Sequence, residues 1–158
     1  MPRICVESSV ISYLANRPSR NGLVAARQAL THDWWATLDK SLLCVSDLVL
    51  EEISHGDPEA ARNRLVKAQD LPRIEQTPEA FALATQLLES GAVPRTEPED
   101  AMHIALATVH GCQFLASWNF AHFVGFDARY GLLAKLQAWG HKPAYLVTPE
   151  ELFFGRTP

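Results

Sequence analysis

No stretch of this sequence approaches the roughly 20 apolar residues that a helix needs to cross a bilayer, and no cysteine pair has C-x-x-C spacing. The first absence argues against a helical membrane span. The three cysteines, Cys5, Cys44 and Cys112, lie far apart beside apolar residues, which predicts three reduced, buried thiols. The glycine-rich cradles G-x-x-x-x-G-K-[ST] and G-x-G-x-x-G are missing, so a nucleotide site of either kind is unsupported. A nucleophile elbow, G-x-S-x-G, is missing too, which removes the usual frame for a Ser-His-Asp hydrolase. His55, His103, His110 and His122 do not form H-E-x-x-H and read as surface or hydrogen-bonded histidines. An excess of positive charge is also lacking. The net charge of −4 argues against a generic nucleic-acid binder. It leaves room for an enzyme acting on nucleic acid, because a metal site concentrates several carboxylates in one place.

What is present suits one globular domain. The 158 residues leave little room for two cores, and a hydrophobic fraction of 47% is enough to build one without disulfides. Charged residues, 20% of the chain, form no long block of one sign, which argues against wholesale disorder. Arg3 and Glu7 interrupt any apolar run near the start, so no secretory signal is expected and the cytoplasm is the expected compartment.

Four short apolar runs stand out: residues 3–6 (RICV), 41–45 (SLLCV), 113–117 (QFLAS) and 144–147 (AYLV). Helical patterns separate them. Residues 10–16 and 21–40 come first, and Ser46 is placed to cap a helix through Ile53. Pro58 and Pro78 each stand at the first position of a further helix. Thr96-Glu97-Pro98-Glu99 has capping-box spacing before a helix that should end at Gly111. Residues 127–139 form another helix, and Thr148-Pro149-Glu150-Glu151 starts a last one. Strand-like runs separated by helices, with no Asn-Gly hairpin between strands, predict a parallel sheet covered on both faces: a three-layer α/β/α sandwich.

In open parallel sheets, ligands bind beyond the carboxyl ends of the strands. Glu7, Ser8 and Ser9 follow the first run, the helix with Glu51 and Glu52 follows the second, and Ser117-Trp118-Asn119 closes the third. Glu51 and Glu52 differ by about 100° around their helix. Leu48, Val49 and Ile53 mark its buried side, which favours Glu52 for a site and Glu51 for solvent. If Thr96 and Glu99 fill the capping places, Asp100 is spare, one turn before Ile104. It then serves either the helix dipole or a site. Asn119, taken alone, reads as a turn residue.

Four segments taken together resemble the PIN domain, specifically the VapC-like toxins of toxin–antitoxin pairs. They are Ile4-Cys5-Val6-Glu7-Ser8-Ser9, Val45-Ser46-Asp47-Leu48-Val49-Leu50-Glu51-Glu52-Ile53, Asp100-Ala101-Met102-His103-Ile104-Ala105-Leu106-Ala107 and Ser117-Trp118-Asn119-Phe120. The resemblance implies one PIN-like domain over residues 1–158 and a metal-dependent endoribonuclease. It further implies Glu7, Glu52 and Asp100 as ligands of Mg²⁺ or Mn²⁺, and Asn119 as the residue that positions water or phosphate. RNA would be the substrate, a small antitoxin protein the partner, and a homodimer the assembly. Ser9 would hydrogen-bond a carboxylate, Arg95 or Arg129 would contact RNA, and the helix around Trp34 and Trp35 is either core or a contact surface. One departure stands out: the family usually has Asp where this chain has Glu7. A longer arm shifts the carboxylate by about one bond, and Mg²⁺ demands near-ideal geometry. The alternative is therefore a catalytically impaired domain that acts by binding RNA or protein. A nucleophilic-aspartate phosphatase fits less well, because Glu7-Ser8-Ser9 supplies no Asp-x-Asp.

Overall fold

Each short apolar run becomes a strand whose side chains alternate between two buried layers. In β1 (Ile4–Val6), Ile4 and Val6 pack into one layer and Cys5 into the other. The alternation repeats in β2 (Leu43–Ser46), where Leu43 and Val45 oppose Cys44. Both faces are dry, which is why these strands read as continuous apolar runs. The computed structural model describes residues 3–120 and 126–155. Its five-stranded sheet is parallel throughout, in the order β3-β2-β1-β4-β5, with β3 (Arg73–Ile74), β4 (Phe114–Ala116) and β5 (Tyr145–Val147).

One face carries α5 (Pro78–Glu89), α6 (Pro98–Val109) and α7 (Phe126–Ala138), which contribute Leu83, Leu87, Ile104, Leu106, Leu132 and Leu136 to its core. The other carries α1 (Ser8–Ala15), α2 (Gly22–Thr37), α3 (Asp47–Ile53), α4 (Pro58–Ala68) and α8 (Pro149–Phe154) around Val10, Ile11, Trp34, Val49 and Ile53. The three-layer α/β/α sandwich is thus the observed architecture. Each fully buried Val, Leu or Ile stabilises it by about 1.5–3 kcal/mol. Trp34 is fully buried and belongs to the core, while Trp35 is half-buried beside it. All three cysteines are free and buried, with Cys44 Sγ 3.6 Å from Cys112 Sγ. Among the described residues, no helix is long and apolar enough to cross a membrane.

Several boundaries follow from local chemistry. Asn21, Ser46, Asp57, Thr77 and Thr148 each cap a helix by accepting from its first-turn N–H groups. Thr148 and Glu151 form a reciprocal capping box. Gly111 (φ 73°) and Gly140 (φ 87°) adopt the left-handed conformation that ends α6 and α7 and turns the chain toward β4 and β5.

Three expectations need correction. Strand β3 has only two residues, too few to show periodicity, and its place at the sheet edge was not foreseen. The second strand starts at Leu43, because Asp39 caps a short 3₁₀ turn over Lys40–Leu42. The capping box at Thr96 does not form. Pro98 takes the first helical position, which moves the N-cap to Glu97, and Glu97 makes no side-chain capping bond. Asp100 is therefore not left over beside a filled capping box.

Candidate metal centre

Parallel pairing of β1 with β4 sets Val6 opposite Ala116, so the residues that follow both strands emerge side by side. The Glu7 N–H donates to the Ala116 carbonyl at 3.0 Å, and Glu7 and Ser117 then meet through their side chains. Glu7 is also the N-cap of α1, which folds its carboxylate back toward the helix start. Its Oε2 accepts three hydrogen bonds: from Ser9 N (3.0 Å), Ser9 Oγ (2.5 Å) and Ser117 Oγ (2.7 Å). The next N–H groups of the β4 turn complete the arrangement, Trp118 N donating to Ser9 Oγ and Asn119 N to Ser117 Oγ, each at 2.9 Å. A carboxylate that is only 6% exposed is thus held in one orientation by two serines.

Glu52 reaches the same place from α3. Its Oε1 accepts from Ser8 Oγ at 2.6 Å and lies 3.0 Å from His103 Nε2 of α6. Glu51 points to solvent, as its position around the helix predicts. His103 is 4% exposed, and the contact with Glu52 is close enough for an ion pair but not aligned as a hydrogen bond. Burial pushes the Glu52 carboxyl up, but the contact and charge of His103, with smaller contributions from Ser8 and Glu99, hold it below its ordinary value. Burial likewise pushes His103 down, and Glu52, followed by the charges of Glu7 and Asp100, more than offsets this, so its pKa is raised.

Glu7, Glu52 and His103 each offer one ligand atom, and these atoms all lie within 4.8 Å of one another. The cluster sits at the carboxyl end of the sheet, where the topology places ligands. Asp100 is half-buried one turn before His103 and acts on it through its charge. Asn119 is exposed, and the hydrogen bond that ties it to the cluster comes from its backbone, not its amide side chain. His103 is the residue that sequence reasoning set aside. Its spacing carried a signal, because it stands three residues after Asp100 and four before the buried Ala107. His110 does hydrogen-bond, to the Glu75 carbonyl at 2.7 Å, and His55 is exposed. His122 lies outside the described residues.

Beside the cluster is an open cavity of about 350 Å³ whose walls include Arg27, Ser117, Trp118, Arg129 and Glu151. Trp118 stacks on Tyr13 at 6.1 Å, and the Arg27 guanidinium lies over it at 5.2 Å. Arg129 is held by Glu151 at 2.9 and 3.0 Å and by the Leu146 carbonyl. Arg95 is exposed.

The PIN domain family profile matches residues 4–121, which span every element of this centre. The chain belongs to the PIN domain family. Among solved structures it is similar to Mycobacterium tuberculosis VapC20, described as a Sarcin-Ricin loop cleaving toxin. That match has 19% identity and a TM-score of 0.56, over 71% of this chain and 86% of that one. It is also similar to VapBC2 from Rickettsia felis, solved with a DNA fragment from their promoter, at 14% identity and a TM-score of 0.51, over 92% and 97% of the two chains. At these identities the likeness concerns the fold. No curated protein matches the sequence. For a PIN domain, a centre built from Glu7, Glu52 and a buried imidazole is a chemically coherent donor set for a divalent metal. Carboxylate oxygens suit Mg²⁺ and Mn²⁺, and the buried His103 nitrogen, 3.0 Å from Glu52 Oε1 without hydrogen-bond alignment, adds a third donor.

Proposed function

We propose that this PIN domain is a metal-dependent endoribonuclease and the toxin of a toxin–antitoxin pair. The observation that carries the reading is the convergence of Glu7 and Glu52, from two separate elements, on a site within 4.8 Å that also includes His103. Two carboxylates held together by chain topology repel each other, and a divalent cation offsets that repulsion. In this reading Glu7, Glu52 and Asp100 hold Mg²⁺ or Mn²⁺, directly or through water. When bound, the metal neutralises the scissile phosphate and lowers the pKa of the attacking water.

The chain's own residues supply the rest. Ser9 and Ser117 lock Glu7, and Ser8 fixes Glu52, so the ligands do not reorganise when RNA arrives. Asn119, on the exposed rim, orients water or a phosphate oxygen. The neighbouring cavity, with Arg27 and Arg129 in its walls, accommodates the RNA backbone beside the cleaved bond. A net charge of −4 is no obstacle, because a divalent metal at the acidic cluster would offset the repulsion where RNA is cleaved. VapC20, described as a Sarcin-Ricin loop cleaving toxin, supports this reading by its fold. We further assign to the protein a single domain over residues 1–158, a cytoplasmic site of action and a homodimeric assembly. The antitoxin would be a small protein that inserts an arginine against Glu7, Glu52 and Asp100.

Cleavage of a structured RNA by purified protein tests the reading. Activity should require Mg²⁺ or Mn²⁺, stop with EDTA, and fall at least about a hundredfold in Asp100→Asn without loss of fold. Cleavage that persists in EDTA would overturn it.

One observation favours a second reading, in which the domain binds without cutting. His103 Nε2 lies 3.0 Å from Glu52 Oε1, so a protonated imidazole there would serve as the counter-charge of Glu52 and Glu7. On that reading the protein binds RNA equally well with and without metal and releases no fragments.

A further inference from the structure

The His103 imidazole has an environment that the acidic residues alone do not explain. It is 4% exposed, it sits on the same helix as Asp100, and it faces two carboxylates. Its Nε2 is 3.0 Å from Glu52 Oε1 yet makes no aligned hydrogen bond to any described group. Nearby oxygens have been satisfied in a different way: the described hydrogen bonds to Glu7 all fall on Oε2. One nitrogen and two carboxylates, from three separate elements, thus place their donor atoms within 4.8 Å of one another.

We infer that His103 Nε2 is a direct metal ligand, which makes this a mixed nitrogen–oxygen centre that selects Mn²⁺, Co²⁺, Ni²⁺ or Zn²⁺ over Mg²⁺. The inference rests on the reading of the cluster as a divalent-metal site and specifies its chemistry. Imidazole suits first-row transition ions, whereas Mg²⁺ prefers an all-oxygen, largely hydrated shell. The serines contribute by holding each carboxylate in a fixed orientation, so the imidazole adds to a site that is already organised. Glu7, in place of the shorter acid usual in the family, has the reach to accept from both Ser9 and Ser117 while keeping one oxygen out of those bonds.

The test is pulsed electron paramagnetic resonance of Mn²⁺ bound to the full-length protein, with calorimetric titration of Co²⁺ and Mg²⁺. Bound Mn²⁺ should show a ¹⁴N coupling that changes to ¹⁵N when histidine is labelled. Among the described residues, His103 is the histidine in the cluster. Co²⁺ should bind at least about a hundredfold more tightly than Mg²⁺, and His103→Gln should remove the coupling and narrow that ratio about tenfold or more. If the variant does not fold, the labelled wild type decides the matter. Bound Mn²⁺ without nitrogen coupling overturns this inference and leaves the acidic metal site standing. No Mn²⁺ binding at all overturns both.

Discussion

Ser117 donates a hydrogen bond to Glu7 Oε2 at 2.7 Å, joining residues 110 positions apart in the chain. The contact exists because β1 and β4 pair in parallel, with Val6 opposite Ala116. The site's first carboxylate is therefore positioned by the sheet itself. Ser117→Ala should cost about 1–3 kcal/mol of stability, since the lost bond is buried and goes to a carboxylate. It should also weaken Mn²⁺ binding. Thermal melts and calorimetry on the variant check both, and unchanged metal affinity would show that the orientation of Glu7 does not matter to the site.

The length of Glu7 can be tested in the same way. Glu7→Asp keeps a good helix cap but withdraws the carboxylate by about one bond. Stability should stay within about 1 kcal/mol, while Mn²⁺ affinity falls about tenfold, because the shorter arm no longer serves Ser117 and the metal together. Tighter binding by the Asp variant would mean that Glu7 is a poor substitute and not an adapted ligand.

In metal-free protein, the Glu52–His103 contact links stability to pH. The folded pKa of Glu52 is depressed, so its contribution is present above its unfolded value, about 4.3, and is lost as pH falls through the folded value. The folded pKa of His103 is raised, so its contribution is complete below about 6.5 and is lost as pH rises through the folded value. The pair thus stabilises most between about pH 4.5 and 6.5. Melting curves in EDTA should show the difference between wild type and Glu52→Gln shrinking on both sides of that window. A difference that stays constant up to pH 9 would contradict the raised pKa of His103.

The two tryptophans of α2 should behave differently. Trp34 is fully buried and Trp35 half-buried. Trp34→Ala should cost about 3–5 kcal/mol, against about 1 kcal/mol or less for Trp35→Ala. Denaturant unfolding measures both, and comparable losses would mean that Trp35 is also core.

The sequence made the layers of this fold readable because its strands are buried on both faces, so runs such as Ile4-Cys5-Val6 stand out against helical periodicity. Strand β3 was hidden because two residues carry no period. Glu52 could be separated from Glu51 by rotation around one helix, a local property. The role of Ser117 was not legible, since it depends on strand register rather than on neighbours in sequence. His103 was missed for a different reason. A histidine on an apolar helix face is ambiguous until the opposing side chain is known, and here that side chain is Glu52, from a different element.

The central claim is that Glu7, Glu52 and His103 form a metal centre. The most direct measurement is a crystal structure of the protein soaked in Mn²⁺, with anomalous diffraction collected at the manganese edge. The account predicts one strong anomalous peak between the two carboxylates and within bonding distance of His103 Nε2, with His103 drawn off Glu52. A peak confined to some other part of the surface, with the cluster unchanged and His103 still against Glu52, would contradict it.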